Sequence, residues 1–323
     1  MTVGAVATLD VIIAATDSAE AASRCAESAG CRVIIAYDPA RIDRTRLPKG
    51  MITVAGERGA DAHRLRSLGL ARSTAGIVAF TEDSCVLSAG WAEAWFDAFV
   101  DGGVFAATGP VEHRRAAGLV NWGVFLCEYA PFLTASAGPL RGHDKPQDRL
   151  AGNNFAVRRS LLDHDALSVH ETCVAARLRA LGGNIVTAPG AMAFHVRRFR
   201  LQEAVLDRLR FGHQFGQQCA ARAVLPVRLA RIVLGPMMLA SQVVRLSWTL
   251  ARKRRHGGRL LDAGPITVGL LTAWTVGEWL GWVRGADRSS ARPRYERAGQ
   301  SSSRRPVLAA SARRDCTGVL PIV

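Results

Sequence analysis

The chain has 323 residues, 49% of them hydrophobic and 21% charged, which excludes a largely disordered protein and leaves room for one large domain with additions. Lys and Arg number 42 against 27 Asp and Glu, a formal charge of +15, and lysine stands only at Lys49, Lys145 and Lys253. So arginine-rich an excess points to an anionic partner: nucleic acid, a phosphorylated ligand or an anionic membrane surface. Seven cysteines, an odd number without a CxxC pair or zinc spacing, predict reduced thiols in a reducing cytosol. The first residues lack a basic start, apolar core and cleavage site, so a secreted protein is not expected.

In chain order, residues 9–15 form a short apolar run typical of a buried parallel strand. Asp17, with Glu20 three residues on, resembles a capping box for a helix stopping at Gly30. Strands follow at 32–37 and 51–54, then a helix over 61–72 and a fourth strand at 76–80 ahead of Glu82 and Asp83. A helix over 91–100 and a strand at 104–108 complete the unit. Strands alternating with helices of this length predict βαβ units around a mainly parallel sheet.

From 116 to 200 the pattern is less regular, with loop signals at Gly138-Pro139 and 142–146. Two blocks stand out there: Gly152-Asn153-Asn154-Phe155, and His170-Glu171-Thr172 leading a helix that ends at Gly182-Gly183. An Arg- and Gln-rich amphipathic helix is predicted over 201–222. Two apolar segments follow, 232–244 and 264–283, separated by the cationic stretch 252–259. The first is too short to span a bilayer, and two crossings would put that stretch outside, so the pair is expected to dip into the cytosolic leaflet with Trp274, Trp279 and Trp282 at the interface, the alternative being that both pack as core helices. The division expected is a catalytic domain over 1–222, an apolar helical membrane-associated region over 223–285, and a disordered basic tail over 286–323.

In open parallel sheets, ligands bind at the carboxyl ends of the strands, where strand order reverses. Asp38 and the Glu82-Asp83 pair each follow a predicted strand and should share that edge. Adjacent carboxylates there suit magnesium or manganese bridging to a diphosphate, although Glu82 and Asp83 could instead cap a helix or line a turn. No GxGxxG and no GxxxxGK[ST] is present, so phosphate binding would rest on a metal, arginines or helix N-termini.

These blocks resemble glycosyltransferase family 2, of the GT-A fold, in a membrane-associated bacterial form. Arg66-Ser67-Leu68-Gly69, then Ala75-Gly76 and a strand into Glu82-Asp83, is similar to the family's nucleotide-sugar half. Gly152-Asn153-Asn154-Phe155 before Arg158-Arg159 resembles its glycine-x-asparagine block, Glu171 its catalytic acid, and Pro189-Gly190-Ala191 through His195 its closing motif. The order matches over roughly residues 8–216. Departures are Ser67 for an asparagine, Ser84-Cys85 completing the acidic motif, Thr172 for an aspartate after Glu171, and no QxxRW.

The resemblance implies a GT-A (Rossmann-like) α/β fold and transfer of a sugar from a nucleotide-diphosphate donor to a hydroxyl of a cell-surface glycan or lipid-linked precursor, inverting and non-processive. It implies Glu171 as base, with Asp163 and Asp165 as rivals; Asp38, Arg66, Glu82, Asp83, Asn153 and Asn154 on the donor; and Asp83, Glu82 and His195 on Mg2+ or Mn2+. Each residue also has a structural reading: Asp38 in a turn, Arg66 on a solvated face, the asparagines in a turn, Glu171 as a helix N-terminal carboxylate favoured by the dipole, His195 hydrogen-bonded in a strand. The expected place is the cytoplasmic face of the cell membrane, against anionic lipid and without nucleic acid. An inactive membrane scaffold and a basic nucleic-acid-binding protein are the alternatives, the latter lacking any recognition motif.

Overall fold

The computed structural model describes residues 8–113, 118–134, 149–162 and 169–285. The rival acids Asp163 and Asp165, the loops predicted at 138–139 and 142–146, and the tail 286–323 lie outside them. The chain folds as two compact units: residues 1–115 with 132–197, and residues 116–131 with 198–323. The helix over 201–222 therefore groups with the apolar helices, whereas a boundary at 222 was expected.

In the first unit, β1 (Leu9–Ala15), β2 (Arg32–Tyr37), β3 (Ile52–Ala55) and β4 (Ile77–Glu82) are parallel. Between them run α1 (Ala19–Glu27) and α2 (Ala62–Leu70), and after them come β5 (Cys85–Leu87), α3 (Trp91–Ala98), β6 (Val104–Thr108) and β7 (Val111–His113). The helix α4 (Leu119–Tyr129) belongs to the second unit. The first unit resumes with β8 (Asn154–Arg158), α5 (Glu171–Ala180), β9 (Asn184–Thr187) and β10 (Ala193–His195). A seven-stranded sheet runs β3-β2-β1-β4-β8-β6-β9, with β8 antiparallel to both neighbours, and a small sheet runs β5-β10-β7. This is the expected α/β class.

Every residue of β1 is buried because helices cover both sheet faces. Side chains alternate along a strand, so Val11, Ile13 and Ala15 join Cys25 of α1 and Trp91 and Trp95 of α3, while Ile12 joins Leu70 of α2 and Leu178 of α5. Three local expectations change. Ser18, not Asp17, caps α1, its Oγ accepting from the Ala21 N–H at 3.1 Å. The fourth strand runs on to Glu82, pairing Ala14 with Glu82. A strand not expected from the sequence, β8, starts at Asn154 in mid-sheet, directly after the turn that Gly152 and Asn153 do form, the Asn154 N–H donating to the Ala151 carbonyl at 2.9 Å.

The second unit joins α4 to α6 (Leu201–Arg222), α7 (Leu225–Leu234), α8 (Met238–Lys253) and α9 (Gly257–Arg284). A Gly235–Met237 turn separates α7 from α8, and the helices bend by 76° across it. Among the described residues α9 alone is long and apolar enough to cross a membrane, with the bent α7–α8 pair passing only if taken as one span. α9 lies against α6 along glycines spaced four apart on each helix, Gly212 and Gly216 facing Gly277 and Gly281. A Cβ on Gly277 would overlap the Leu209 carbonyl oxygen, so only glycine permits this approach. Trp282 is buried, and Trp274 and Trp279 donate to the Glu278 carboxylate (3.2 Å) and the Ile232 carbonyl (2.9 Å). The tryptophans expected at a lipid interface thus make internal contacts, with Trp279 partly open.

Candidate active site

The sheet order sets the site. β2 and β3 lie to one side of β1 and β4 to the other, so strand order reverses between β1 and β4. Their carboxyl ends bring Thr16 and Asp17 beside Glu82 and Asp83. Adjacent residues at a strand end point to opposite faces, and these two acids part accordingly. Asp83 is buried, its Oδ2 accepting from the backbone N–H groups of Thr16 (2.9 Å) and Asp17 (2.6 Å). Burial, and then the charges of Asp17 and Glu82, push its carboxyl up to about 7.

Glu82 turns toward Arg66. This arginine, on α2, is 1% exposed, so the solvated-face reading fails. Its Nη2 donates to Glu82 Oε1 at 2.6 Å and to the Gly152 carbonyl, and its Nη1 donates to Glu171 Oε2 at 3.1 Å. The guanidinium also lies 5.7 Å from the centre of the Phe155 ring. One cation thus holds together the acid ending β4 and the acid opening α5, in the fork geometry that suits arginine.

Glu171 is the first residue of α5, whose cap is His170. Burial alone would raise its carboxyl, but Arg66, His170, His63 and a backbone N–H outweigh that and hold it below the usual range. Gly152 lies directly under it: a Cβ there would come within 3.2 Å of the Glu171 carboxyl carbon.

Two histidines complete the cluster without having been assigned a role from the sequence. His63 stacks on His170 with ring centres 4.0 Å apart. Arg66 has no acceptor atom, so at 3.0 Å it must donate to His63 Nδ1, which fixes the neutral ring as the Nε2–H tautomer. Burial first, opposed by Glu171 and aided by Arg66, lowers His63 to about 4. The signal available was spacing, since His63 stands one helical turn before Arg66.

Ligand atoms of His63, His170 and Glu171 all lie within 4.8 Å of one another, close enough for a metal ion. The Arg66 guanidinium, however, is bonded to both His63 Nδ1 and Glu171 Oε2 and supplies the cluster's positive charge. Among the described residues Glu82, Asp83 and His195 do not form such a group. His195 is buried in β10 opposite Cys85, two residues beyond Asp83, and burial with His113 and Arg197 lowers it to about 3.

The remaining residues take structural positions. Asp38 Oδ1 accepts from Ala40 N–H (2.8 Å) and Gly59 N–H (3.0 Å), tying two loops beyond β2 and β3. Asn154 accepts from Trp91 Nε1 (3.0 Å) and donates to the carbonyls of Pro110 (2.8 Å) and Ala191 (2.7 Å), bonds that engage its amide in the core. Asn153 donates to Cys85 Sγ at 3.3 Å, and its buried Oδ1 has no partner among the described residues.

No family model and no curated protein matches the chain. Among solved structures it is similar to a mannosyltransferase from Pyrobaculum calidifontis in complex with GDP-Man and Mn2+, at 13% identity and TM-score 0.46 over 85% of this chain and 88% of that one. It is also similar to glucosyl-3-phosphoglycerate synthase from Mycobacterium tuberculosis with Mn2+, UDP and phosphoglyceric acid, at 15% identity and TM-score 0.41 over 64% of this chain and 76% of that one. A third is GalNAc-T7 with UDP, GalNAc and Mn2+, at 14% identity and TM-score 0.42, covering 61% of this chain and 45% of that longer one.

Proposed function

We propose that the chain is a glycosyltransferase of the family 2, GT-A type, moving a sugar from a nucleotide-diphosphate donor to a hydroxyl of a cell-surface glycan or lipid-linked precursor. Transfer would be inverting and non-processive, at the cytoplasmic face of the cell membrane. One observation carries the reading: Arg66 joins Glu82, at the strand-order reversal, to Glu171 at the head of α5. The acids that the motif order assigns to donor and acceptor therefore meet in one site.

The donor set fits a divalent ion. Asp83 offers hard oxygens and stands among acids whose crowding a cation would relieve. Asp83 would hold Mg2+ or Mn2+, which when bound neutralises charge on the departing diphosphate, while Glu82, bonded to Arg66 on the other face, would not share the ion. Glu171 stays ionised and accepts the acceptor hydroxyl's proton as the new glycosidic bond forms and the bond to the diphosphate breaks. Arg66 fixes Oε2 of that carboxylate, leaving Oε1, which lies 3.7 Å from His170 Nδ1, to meet the hydroxyl.

Melting the full chain with UDP-, GDP- and dTDP-sugars, with and without manganese, tests the reading. One donor class should raise the melting temperature in a manganese-dependent way, and Asp83→Asn should lose that rise while melting near wild type in its absence. If no nucleotide sugar shifts the transition, the transferase reading fails. If turnover is indifferent to EDTA, the metal role fails.

A further inference from the structure

α7 is built inside out. Its sequence, LPVRLARIVL, would ordinarily place the leucines and valines inward and the arginines in water. The structure does the reverse. Arg228 Nε donates to the Trp282 carbonyl and Nη2 to the Val283 carbonyl, both at 3.0 Å, closing the last turn of α9. Arg231 Nη1 lies 3.3 Å from Met238 Sδ. No residue of α7 is buried, and Val233 is 75% exposed.

The apolar surface continues past the bend. Met237 is 69% exposed, and Val244 and Trp248 on α8 are 68% and 64% exposed, while Gln242 of the same helix is buried. At the far end of α8 the chain becomes cationic, Arg252-Lys253-Arg254-Arg255, and turns back into α9 through left-handed Arg254 and His256. An exposed apolar face ending in clustered arginine matches an anionic lipid surface: side chains enter the acyl boundary and cations meet the headgroups.

We propose that α7 and α8 form a membrane-docking wedge, with Leu225, Leu229, Val233, Met237, Val244 and Trp248 entering the outer part of an anionic phospholipid leaflet. This deepens the membrane reading above: of the two apolar segments expected to dip, it puts the contact on the one that falls in α7 and α8, whereas α9 packs its glycine face on α6. The wedge lies on the leaflet and does not cross it.

Vesicle flotation of the full chain tests this. Wild type should float with phosphatidylcholine vesicles containing phosphatidylglycerol and bind phosphatidylcholine alone far less, with the difference shrinking in high salt. Each large apolar side chain withdrawn from lipid costs roughly tenfold or more in binding, so Val233→Asp with Trp248→Ser should reduce flotation by about a hundredfold or more. Leu229→Ala with Val233→Ala gives a smaller loss and serves if the aspartate unfolds the bundle; unchanged melting and donor-induced stabilisation certify both. If wild type binds no vesicle, the membrane reading itself fails. If wild type floats and both variants float equally well, the wedge is wrong and the lipid contact lies elsewhere, as in the arginine-rich residues 286–323. If the variants instead convert a dimer to a monomer without affecting flotation, a second copy covers this face and the proposal is overturned.

Discussion

The two compact units place arginine in opposite ways. In the sheet unit, Arg66 is drawn inside among two acids and two histidines, where its charge holds the proposed active site together. In the helical unit, Arg228 is turned toward carbonyl oxygens at a helix end, and the apolar side chains of its own helix are left facing out. A buried arginine among ionisable groups sets up chemistry; one that closes a helix frees the helix's other face to meet something apolar. The same residue type thus marks a site in one unit and a surface in the other.

The largest effect expected from breaking the first arrangement is at Glu171. If Glu171 is the base proposed above, Glu171→Gln should lower turnover by roughly 100- to 10,000-fold while donor affinity is nearly unchanged, because the proton comes from the acceptor. Single-turnover kinetics beside donor titration read both quantities. Collapse of donor binding together with turnover would make Glu171 a structural residue instead.

Arg66→Met leaves Glu82 and Glu171 without their shared cation. Removing one partner of a buried ion pair costs about 3–5 kcal/mol, to be read from denaturant melts. Its sharper readout is the pH profile. With Arg66 present Glu171 titrates below an ordinary glutamate, about 4.3, so activity and the stability this pair confers persist as pH falls and are lost only as pH drops through that depressed value. In Arg66→Met the acid limb should move upward, whereas a merely structural arginine would lower activity evenly at every pH.

The smallest of these effects tests the helical unit. Gly277→Ala puts a methyl against the Leu209 carbonyl and should destabilise by about 1–3 kcal/mol through overpacking. Donor affinity should not change, since Gly277 belongs to the helical unit and the proposed site to the sheet unit; a calorimetric melt with donor titration separates the two.

How far the sequence disclosed this is decided residue by residue. The strands at 9–15, 32–37 and 76–80 were legible because burial on both faces demands unbroken apolar runs. The strand β8 was not, because its start is masked by the turn that Gly152 and Asn153 do form, and only the bonds from Asn154 to Trp91, Pro110 and Ala191 make an asparagine suit mid-sheet. Within the candidate site, Arg66, Glu82 and Glu171 were read from motif order, yet their mutual contact was not. That contact depends on long-range closure between α2 and α5, which local spacing does not encode. His170 went unassigned for the same reason, while the spacing of His63 to Arg66 was legible and not used; Asp38 had an aspartate-proline turn as an equally good reading, to which its bonds to Ala40 and Gly59 conform.

The position of β8 also bears on how the protein is made. β4 and β6 have no partner on their facing sides except β8, so until residues 154–158 arrive the sheet is β3-β2-β1-β4 with β6 unattached, and β9 joins the far side of β6 only afterwards. Synthesis delivers β1 to β4 and then β6 first, and through that interval two apolar strand edges stand open to any neighbouring chain. A five-residue segment made late is therefore the clasp of the domain, and a nascent chain halted before Asn154 would be a template for aggregation, not a smaller folded protein.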